Sequence, residues 1–331
     1  MARFLVTGGA GFIGSHLAEA LLGAGHEVSA LDTLSTGRLS NLDAVRGHPR
    51  FSFTQGSVLD ELAVDQAIRD CDVVVHLAAA VGVKLIVDEP LYSLTTNIKG
   101  AITVLEAAHR YRRKAMVASS SEIYGKNNSG PLDESSDRVL GSPAVTRWAY
   151  STSKAVDEIL AYAYHHERGL PTIVVRMFNT VGPRQSPAYG MVVPRFVRQA
   201  LAGEPLTVYG DGTQTRCFCH VADVVDALVR LLGEPRAEGE VFNVGSTEEI
   251  SVHELAELVI ERTGSRSQVV HLPYDVAYEV GFEDMARRVP EVGKLRRLTG
   301  WHATRELGEI LDDVIAEAQA ETASYAVAGD E

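Results

Sequence analysis

The feature that most constrains the fold is a run of glycines between a predicted strand and a predicted helix at the start of the chain. Arg3–Thr7 contains an apolar run typical of a buried strand, and residues 15–24 have the apolar spacing of a helix. Gly8, Gly11 and Gly14 stand between them in the pattern G-x-x-G-x-x-G. In this setting glycines permit a tight turn, admit a pyrophosphate to the helix N-terminus and let the helix pack closely on the sheet. The segment therefore predicts a dinucleotide site.

Asp32 indicates which dinucleotide this site takes. It follows the second predicted strand, residues 27–31, and stands 18 residues beyond Gly14. A carboxylate there accepts hydrogen bonds from both hydroxyls of the adenosine ribose and repels a 2′-phosphate, which favours NAD over NADP. Arg38 is a nearby cation, so NADP is not excluded as the cofactor. The alternative interpretation is a structural turn with a solvated Asp32.

Predicted strands and helices alternate through the first half of the sequence. Apolar runs at residues 27–31, 72–77, 114–119 and 172–178 continue the series of strands. This alternation predicts right-handed crossovers and a parallel sheet that helices cover on both faces. We expect an α/β fold with a Rossmann-type doubly wound parallel sheet and a smaller C-terminal lobe that binds substrate.

The sequence changes in character after residue 178, where the predicted strands become shorter and lie among glycines and prolines. We expect residues 1–178 to form the NAD-binding domain and residues 179–331 to form mostly the substrate-binding lobe. Pieces near residues 220–246 have the patterns of a helix and a strand that return to the main sheet. The acidic end after residue 317 is interpreted as solvated.

Charge and composition argue against several classes of protein. The formal net charge is −13 and there is no block of Lys or Arg, which is the opposite of what a general binder of nucleic acid or of an anionic membrane needs. No apolar run approaches the ~18 residues that span a bilayer. Three cysteines suit a reducing cytoplasm, the expected location. Cys217, Cys219 and His220 lack a second cysteine pair, so no metal is expected.

Tyr150 and Lys154 are four residues apart, which places a phenol and an amine on one face of a helix. Tyrosine with its ordinary pKa of ~10 is a poor base at neutral pH. An adjacent ammonium, together with the positive nicotinamide ring, lowers that pKa. Ser120 and Glu122 follow the strand at residues 114–119, at the end of the sheet where ligands bind. The alternative for Tyr150 and Lys154 is an ordinary pair on an amphipathic helix.

Six motifs together resemble those of the extended short-chain dehydrogenase/reductase family, in particular its NAD-dependent nucleotide-sugar epimerases, decarboxylases and dehydratases. In chain order they are TGGAGFIG (residues 7–14), HLAAA (76–80), SSSEIYG (119–125), YSTSK (150–154), RMFNTVGPR (176–184) and YGDGTQTRCF (209–218). The resemblance covers nearly the whole chain and is strongest to bacterial UDP-glucuronate and UDP-glucose 4-epimerases.

The resemblance implies a catalytic set and a cofactor site. Ser120 would bind the reacting hydroxyl, Tyr150 would be the base, and Lys154 would hold the nicotinamide ribose and tune Tyr150. The residues implied to contact NAD are Gly8, Gly11, Phe12, Ile13, Gly14, Asp32, Ser35, Thr36, Gly37, Ser57, Val58, Leu77, Ala78, Ala79, Tyr150 and Lys154. Ser57 stands where the family usually has the aspartate of a G-D-[IV] motif, so the adenine contact loses a carboxylate.

The resemblance also implies a UDP-sugar substrate. Asn179, Arg216 and Arg288 match positions that hold the diphosphate, for which planar guanidinium forks are suited. Leu206–Tyr209 resembles the segment that packs against the uracil. The substrate-binding residues implied are Lys84, Ser121, Asn179, Thr180, Arg184, Val193, Thr207, Tyr209, Arg216 and Arg288. Helices near residues 96–111 and 149–167 follow the pattern of a homodimer interface in this family.

The choice of reaction depends on how the site would treat the C6 carboxylate of a uronate sugar. Gly82-Val83-Lys84 resembles a motif of UDP-glucuronate 4-epimerases, and Arg184 is expected to meet that carboxylate. Glu122, whose charge would repel it, resembles an acid found in UDP-glucuronate decarboxylases and some dehydratases. Weighing the donors Ser120, Ser121, Thr180, Lys84 and Arg184 above Glu122, we expect a 4-epimerase that forms UDP-galacturonate from UDP-glucuronate, with UDP-glucose and UDP-galactose as a second pair.

Three alternatives stay open. The first is a UDP-glucuronate decarboxylase that gives UDP-xylose, and the second is a nucleotide-sugar dehydratase. The third is a silent NAD-binding scaffold or sensor on the same fold, against which the joint presence of Ser120, Tyr150 and Lys154 argues.

Overall fold

The computed structural model describes residues 1–187, 191–273 and 285–328, with the side chains of residues 83, 84 and 323–328 excepted. The strands are, in chain order, β1 (Arg3–Thr7), β2 (Glu27–Asp32), β3 (Phe51–Gln55), β4 (Val73–His76), β5 (Lys114–Ser120), β6 (Thr172–Met177), β7 (Thr180–Val181), β8 (Leu206–Tyr209), β9 (Thr215–Cys217), β10 (Cys219–His220), β11 (Glu240–Val244), β12 (Glu249–Ser251), β13 (Val269–Leu272) and β14 (Arg287–Arg288). The helices are α1 (Phe12–Gly23), α2 (Glu61–Arg69), α3 (Val83–Asp88), α4 (Pro90–Tyr111), α5 (Trp148–Arg168), α6 (Val192–Leu201), α7 (Val221–Leu232), α8 (Val252–Thr263), α9 (Gly293–Thr299) and α10 (Leu307–Ala328).

Seven of the described strands form one parallel sheet in the order β11-β6-β5-β4-β1-β2-β3. The chain builds outward from β1 to β3 and then returns to the other side of β1 at β4. The carboxyl ends of β1 and β4 therefore border the crevice in which open α/β sheets bind ligands. The predicted Rossmann-type parallel sheet is confirmed.

Helices cover both faces of this sheet, and each face has its own apolar core. On one face α1 and α7 contribute Leu17, Leu21 and Leu228, all buried. On the other face α2, α4 and α5 pack their apolar sides, as Ile68 and Leu105 illustrate. Because both faces of the central strands are buried, these strands read as continuous apolar runs in the sequence.

A third apolar core belongs to the later part of the chain. Helices α6, α8 and α10 pack around β8, with Phe196, Leu255 and Leu311 buried between them. The strand β11 lies outside this core and pairs in parallel with β6 at the edge of the main sheet. The division at residue 178 and the return of the pieces near residues 220–246 remain our interpretation of this arrangement.

One part of the chain differs from what the sequence predicts. The strand β3 was not predicted, because Phe51–Gln55 is half polar and lies at the edge of the sheet, where one side is exposed. The acidic end after residue 317 belongs to α10, and residues 319–322 are exposed to solvent, as expected. Glu317 accepts the backbone N–H of Arg184 at 2.6 Å, and Glu321 pairs with Arg38 at 3.0 Å. Among the described residues, no helix combines the length and apolarity that a bilayer-spanning segment needs.

Candidate active site

A cavity of about 740 Å³ opens at the carboxyl ends of the central strands, a volume typical of ligand sites. The predicted site residues that line it are Gly8, Gly11, Phe12, Ile13, Gly14, Asp32, Ser35, Thr36, Ser57, Val58, Leu77, Ala78, Ala79, Ser120, Ser121, Glu122, Tyr150, Lys154, Asn179, Thr180, Arg184, Val193, Tyr209, Arg216 and Arg288. The structure thus brings the three predicted sets together around one cavity.

Three predicted residues lie elsewhere or outside the description. Gly37 does not line the cavity in the described structure; a Cβ there would lie 3.1 Å from Asp32 Oδ2, so this glycine lets its loop pack on Asp32. Thr207 also stays off the wall, since its hydroxyl accepts a hydrogen bond from Gln199 at 3.1 Å and fastens β8 to α6. The side chain of Lys84 is outside the described residues.

The glycine turn leaves an open path to the first turn of α1. Gly8 has a φ of +71°, and its N–H donates to Leu31 O at 2.8 Å. A Cβ on Gly14 would lie 2.1 Å from Gly8 O, so no side chain is tolerated there. The backbone N–H groups at this helix end therefore stand exposed to an anion, as the pyrophosphate of a dinucleotide requires. This cradle fits NAD.

Asp32 does more than line the adenosine end. Its two carboxylate oxygens accept the N–H of Ala10 at 3.0 Å and that of Leu34 at 2.8 Å, and the side chain is buried. The interpretation of Asp32 as merely solvated is therefore wrong. The carboxylate orders the glycine turn and still faces the cavity, where it can accept ribose hydroxyls. Arg38, the cation because of which NADP remained a possible cofactor, is paired with Glu321.

Tyr150 and Lys154 lie on α5, facing the end of β5. Lys154 Nζ donates to Ala118 O at 2.9 Å and to Asp157 Oδ2 at 2.9 Å. Tyr150 is buried and hydrogen-bonded to the side chain of Ser120. Burial raises the pKa of Tyr150, while the ammonium of Lys154 and the contact with Ser120 lower it, and the net direction is upward. The expected lowering is therefore not produced by the protein side chains alone.

His76 and the two tryptophans are packing residues. His76 ends β4 with its Nδ1 2.8 Å from Thr7 Oγ1, and it is buried. Burial, and then the charge of Lys154, lower the pKa of His76 to about 3, so the ring is neutral. Trp148 and Trp301 are also buried.

Glu122 is held by two arginines on the cavity wall. Arg147 forms a bidentate ion pair with it: Nη2 lies 2.9 Å from Oε1, and Nη1 contacts Oε2. Arg288 Nη1 lies 3.5 Å from Oε1, and its Nη2 donates to Asn179 Oδ1. Burial alone would raise the pKa of Glu122, but the two cations overcome that effect and set it at about 2. Glu122 is therefore an anion whose charge both arginines compensate.

Arg147 is a site residue that the sequence analysis missed. It precedes the first residue of α5 and lines the cavity next to Glu122, with its side chain almost fully buried. The available signal was its spacing, because a residue three positions before Tyr150 in a helix lies on the same face. Arg288 was expected at the diphosphate, but it also contacts Glu122 and so reaches the reacting end of the cavity.

Arg184 lies at the α1 end of the cavity. Its Nη2 pairs with Glu19 Oε1 at 2.6 Å and its Nη1 donates to Ser15 Oγ at 3.2 Å. These contacts hold it beside the helix that begins at the glycine turn, and they give no support to its expected role at a sugar carboxylate.

Thr180 Oγ1, by contrast, is a buried hydroxyl on the cavity wall with no hydrogen-bond partner among the described residues.

The described residues contain no group of three or more His, Cys, Asp or Glu side chains arranged to hold a metal ion. Cys217 and Cys219 lie on the separate strands β9 and β10, and both are buried.

Sequence comparisons identify relatives over most of the chain. The profile of the NAD dependent epimerase/dehydratase family matches residues 4–245. The chain is 40% identical over 301 residues to the UDP-N-acetyl-alpha-D-glucosaminuronate decarboxylase of Bacillus cytotoxicus, covering 91% of this chain and 92% of the relative. It is 36% identical over 313 residues to UDP-glucuronic acid decarboxylase 1 of Danio rerio, covering 95% and 72%.

Solved structures agree with the fold. The UDP-glucuronic acid 4-epimerase of Bacillus cereus, in complex with UDP-glucuronic acid and NAD, superposes with a TM-score of 0.87 at 29% identity, covering 96% of this chain and 99% of that one. The UDP-glucose 4-epimerase of Thermotoga maritima with UDP-glucose gives a TM-score of 0.87 at 31% identity, covering 97% and 99%.

Proposed function

The chain belongs to the NAD dependent epimerase/dehydratase family, and we propose that within it the protein decarboxylates a UDP-linked hexuronate. NAD is its cofactor, and its activity is that of a nucleotide-sugar enzyme of this family. The expected 4-epimerase activity is not confirmed. The decarboxylase alternative has better support, because the relatives at 40% and 36% identity over most of the chain are decarboxylases of UDP-uronates.

One observation of the site carries the proposal: Glu122 occupies the guanidinium fork of Arg147. Oxidation of the sugar at C4 creates a ketone β to the C6 carboxylate, and such acids lose CO₂ readily. The loss is fastest when the bond to the carboxylate stands perpendicular to the carbonyl plane. An epimerase must therefore hold the carboxylate near that plane, and a guanidinium fork is the group best shaped to do so.

Three arginines of the cavity wall are engaged by carboxylates of the protein. Arg147 and Arg288 both contact Glu122, and Arg184 is paired with Glu19. Of the described donors expected to restrain the carboxylate, the hydroxyls of Ser120, Ser121 and Thr180 line the cavity without an ion pair, whereas Arg184 lines it while paired with Glu19. The weighing of hydrogen-bond donors against Glu122 therefore now favours decarboxylation, because the sugar carboxylate is not restrained near the carbonyl plane and can leave as CO₂.

The side chains divide the work of the first step. When bound, NAD would supply the acceptor for the C4 hydride of the sugar and the donor for its return. Tyr150 takes the proton of the C4 hydroxyl, and Ser120 donates a hydrogen bond to the same oxygen. Lys154 holds the nicotinamide ribose and favours the phenolate of Tyr150 by its charge. General-base catalysis of this kind is worth about 10²–10⁴-fold.

Decarboxylation then moves negative charge from the carboxylate to O4. The bond between C5 and C6 breaks, CO₂ leaves, and its electron pair flows into the C4 carbonyl. Tyr150, which now carries the proton, and Ser120 donate to the developing oxyanion. C5 takes a proton from solvent to restore the ketone before C4 is reduced. Because Glu122 compensates the positive charge of Arg147, that guanidinium does not hold back the carboxylate charge that leaves.

The test is a product analysis. The purified protein with NAD is incubated separately with UDP-glucuronate, UDP-N-acetylglucosaminuronate and UDP-glucose, and the products are weighed by mass spectrometry. The proposal expects a product lighter by CO₂ from at least one of the two uronates. A product of unchanged mass from both uronates would return the assignment to a 4-epimerase, and no product with no NADH absorbance would favour a scaffold.

A further inference from the structure

Asp157 is a buried carboxylate beside the lysine of the active site. Its side chain is 0% exposed, and it lies three residues after Lys154 on the same face of α5. Oδ2 accepts from Lys154 Nζ at 2.9 Å, and Oδ1 is buried without a hydrogen-bond partner among the described residues. A buried carboxylate with one unsatisfied oxygen is costly unless a cation compensates it. Lys154 supplies that cation.

The other acids of this cluster have their own cationic partners. Glu158, the next residue on α5, accepts from Arg176 Nη2 at 2.8 Å and also from Ser119 on β5. Glu122 is compensated by Arg147. Among the described residues of this cluster, Asp157 is therefore the carboxylate that depends on Lys154.

The remaining elements packed here contribute little charge. β4 presents His76, which is neutral, and α4 presents the amide of Asn97, which donates to Ser153 on α5 at 3.1 Å. β5 contributes the carbonyl of Ala118 as the second acceptor for Lys154. The electrostatic effect of α5 on Tyr150 is consequently the combined effect of the positive charge of Lys154 and the negative charge of Asp157.

We propose that Asp157 is a positioning residue that fixes the Lys154 ammonium against the Ala118 carbonyl and offsets part of its positive charge at Tyr150. Two of the three N–H bonds of the ammonium are directed at protein acceptors, so the third has a defined direction in the cavity. The offset sets how readily Tyr150 gives up its proton. The inference rests on the roles of Tyr150 and Lys154 in the proposed function, but it does not depend on the fate of the sugar carboxylate.

The electrostatics of Tyr150 agree with this geometry. Lys154 lowers the pKa of Tyr150, whereas Glu122 and Asp157 raise it. Asp157→Asn keeps the size of the side chain and an acceptor oxygen for Lys154, but it removes the negative charge. The ammonium then acts on Tyr150 without the offset, so Tyr150 should lose its proton at a lower pH.

The experiment follows the tyrosinate absorbance of the NAD-loaded protein as pH is raised. Subtracting the titration of the matching Tyr150→Phe protein isolates Tyr150, and no sugar substrate is needed. We expect the midpoint in Asp157→Asn to fall by about one pH unit relative to the wild type, with NAD still bound. The acid limb of the pH profile of kcat should move in the same direction, with KM for the UDP-sugar little changed.

Asp223→Asn is the matched control. Asp223 is also a buried acid, but it pairs with Arg305 at 2.7 Å in another part of the chain, so its loss should leave the Tyr150 midpoint unmoved. Asp157→Ser is the second variant, in case the buried amide is not tolerated. Coincident midpoints in the wild type and either folded variant would overturn the proposal. If neither variant folds, Asp157 is a structural anchor, and the tuning role is equally overturned. A failed proposed function would instead leave this titration shift intact.

Discussion

Arg147 Nη2 lies 2.9 Å from Glu122 Oε1 on the cavity wall, and the charge of Glu122 contributes to the raised pKa of Tyr150. In the proposed decarboxylation, this ion pair withholds the guanidinium fork that would otherwise restrain the carboxylate of the sugar.

Glu122→Gln should release that fork. We expect the rate of CO₂ loss to fall by about tenfold or more, equivalent to ~1.4 kcal/mol in the transition state, because Arg147 becomes available to hold the substrate carboxylate. A UDP-sugar of unchanged mass and inverted C4 should appear beside the decarboxylated product. Quantitative mass analysis and NMR of the products measure this ratio.

Glu19→Gln is the control for the Glu122 variant, because it breaks the ion pair that holds Arg184, another arginine of the cavity wall. Arg184 is then released at α1, away from the reacting end, so the product ratio should stay as in the wild type. An epimer formed by Glu19→Gln but not by Glu122→Gln would return the carboxylate-binding role to Arg184.

Tyr150→Phe removes the titrating hydroxyl and keeps the ring. Turnover should fall by about 10²–10⁴-fold, since proton transfer by a positioned group is lost. NAD should still be retained, because the glycine turn, Asp32 and Lys154 are unchanged. Steady-state rates and the cofactor content of the purified variant check this. Near-normal turnover would remove Tyr150 from the mechanism.

Because the pKa of His76 is lowered in the folded protein, we predict that the protein loses stability in mild acid. Its pKa is about 3 in the folded protein and 6.5 in the unfolded chain, so below pH 6.5 only the unfolded state gains this proton. The free energy of unfolding should therefore fall as pH drops from 6.5 towards 3, by up to ~1.4 kcal/mol per pH unit from this group. His76→Asn should lower the pH dependence of the unfolding midpoint, and an unchanged dependence would contradict the neutral assignment.

The surface of α4 and α5 bears on assembly. Ile159 on α5 is 62% exposed and Leu91 on α4 is 77% exposed, which is unusual for large apolar side chains unless they meet a partner. We predict a homodimer through these helices. Ile159→Glu should convert the dimer to a monomer in light scattering, whereas Leu62→Glu, at an equally exposed position on α2, should not. A wild-type monomer at micromolar concentration would contradict the prediction.

The sequence predicted the parallel sheet because its central strands are buried on both faces and therefore form unbroken apolar runs. The first predicted strand, Arg3–Thr7, agrees with the structure at both ends. The helix α1 begins at Phe12, before the predicted residue 15, because the last glycine of the turn is already helical.

The ion pairs of the site could not be predicted from the sequence in the same way. Glu122 meets Arg147 and Arg288, which are 25 and 166 residues away in the chain, and Arg184 meets Glu19 across 165 residues. Such pairs depend on how loops and lobes come together, for which a single sequence carries no periodic signal. The donors for the sugar carboxylate were therefore counted as available when most of the cations were already paired.

The most direct test of the account follows carbon C6 of the substrate. A UDP-hexuronate labelled at C6 is incubated with the NAD-loaded wild-type protein, and NMR follows the label over time. We predict that the label leaves as CO₂ and bicarbonate while an unlabelled UDP-pentose or its N-acetylated counterpart accumulates. Label retained in a UDP-hexuronate with inverted C4, for both the glucuronate and the N-acetylglucosaminuronate substrates, would contradict it.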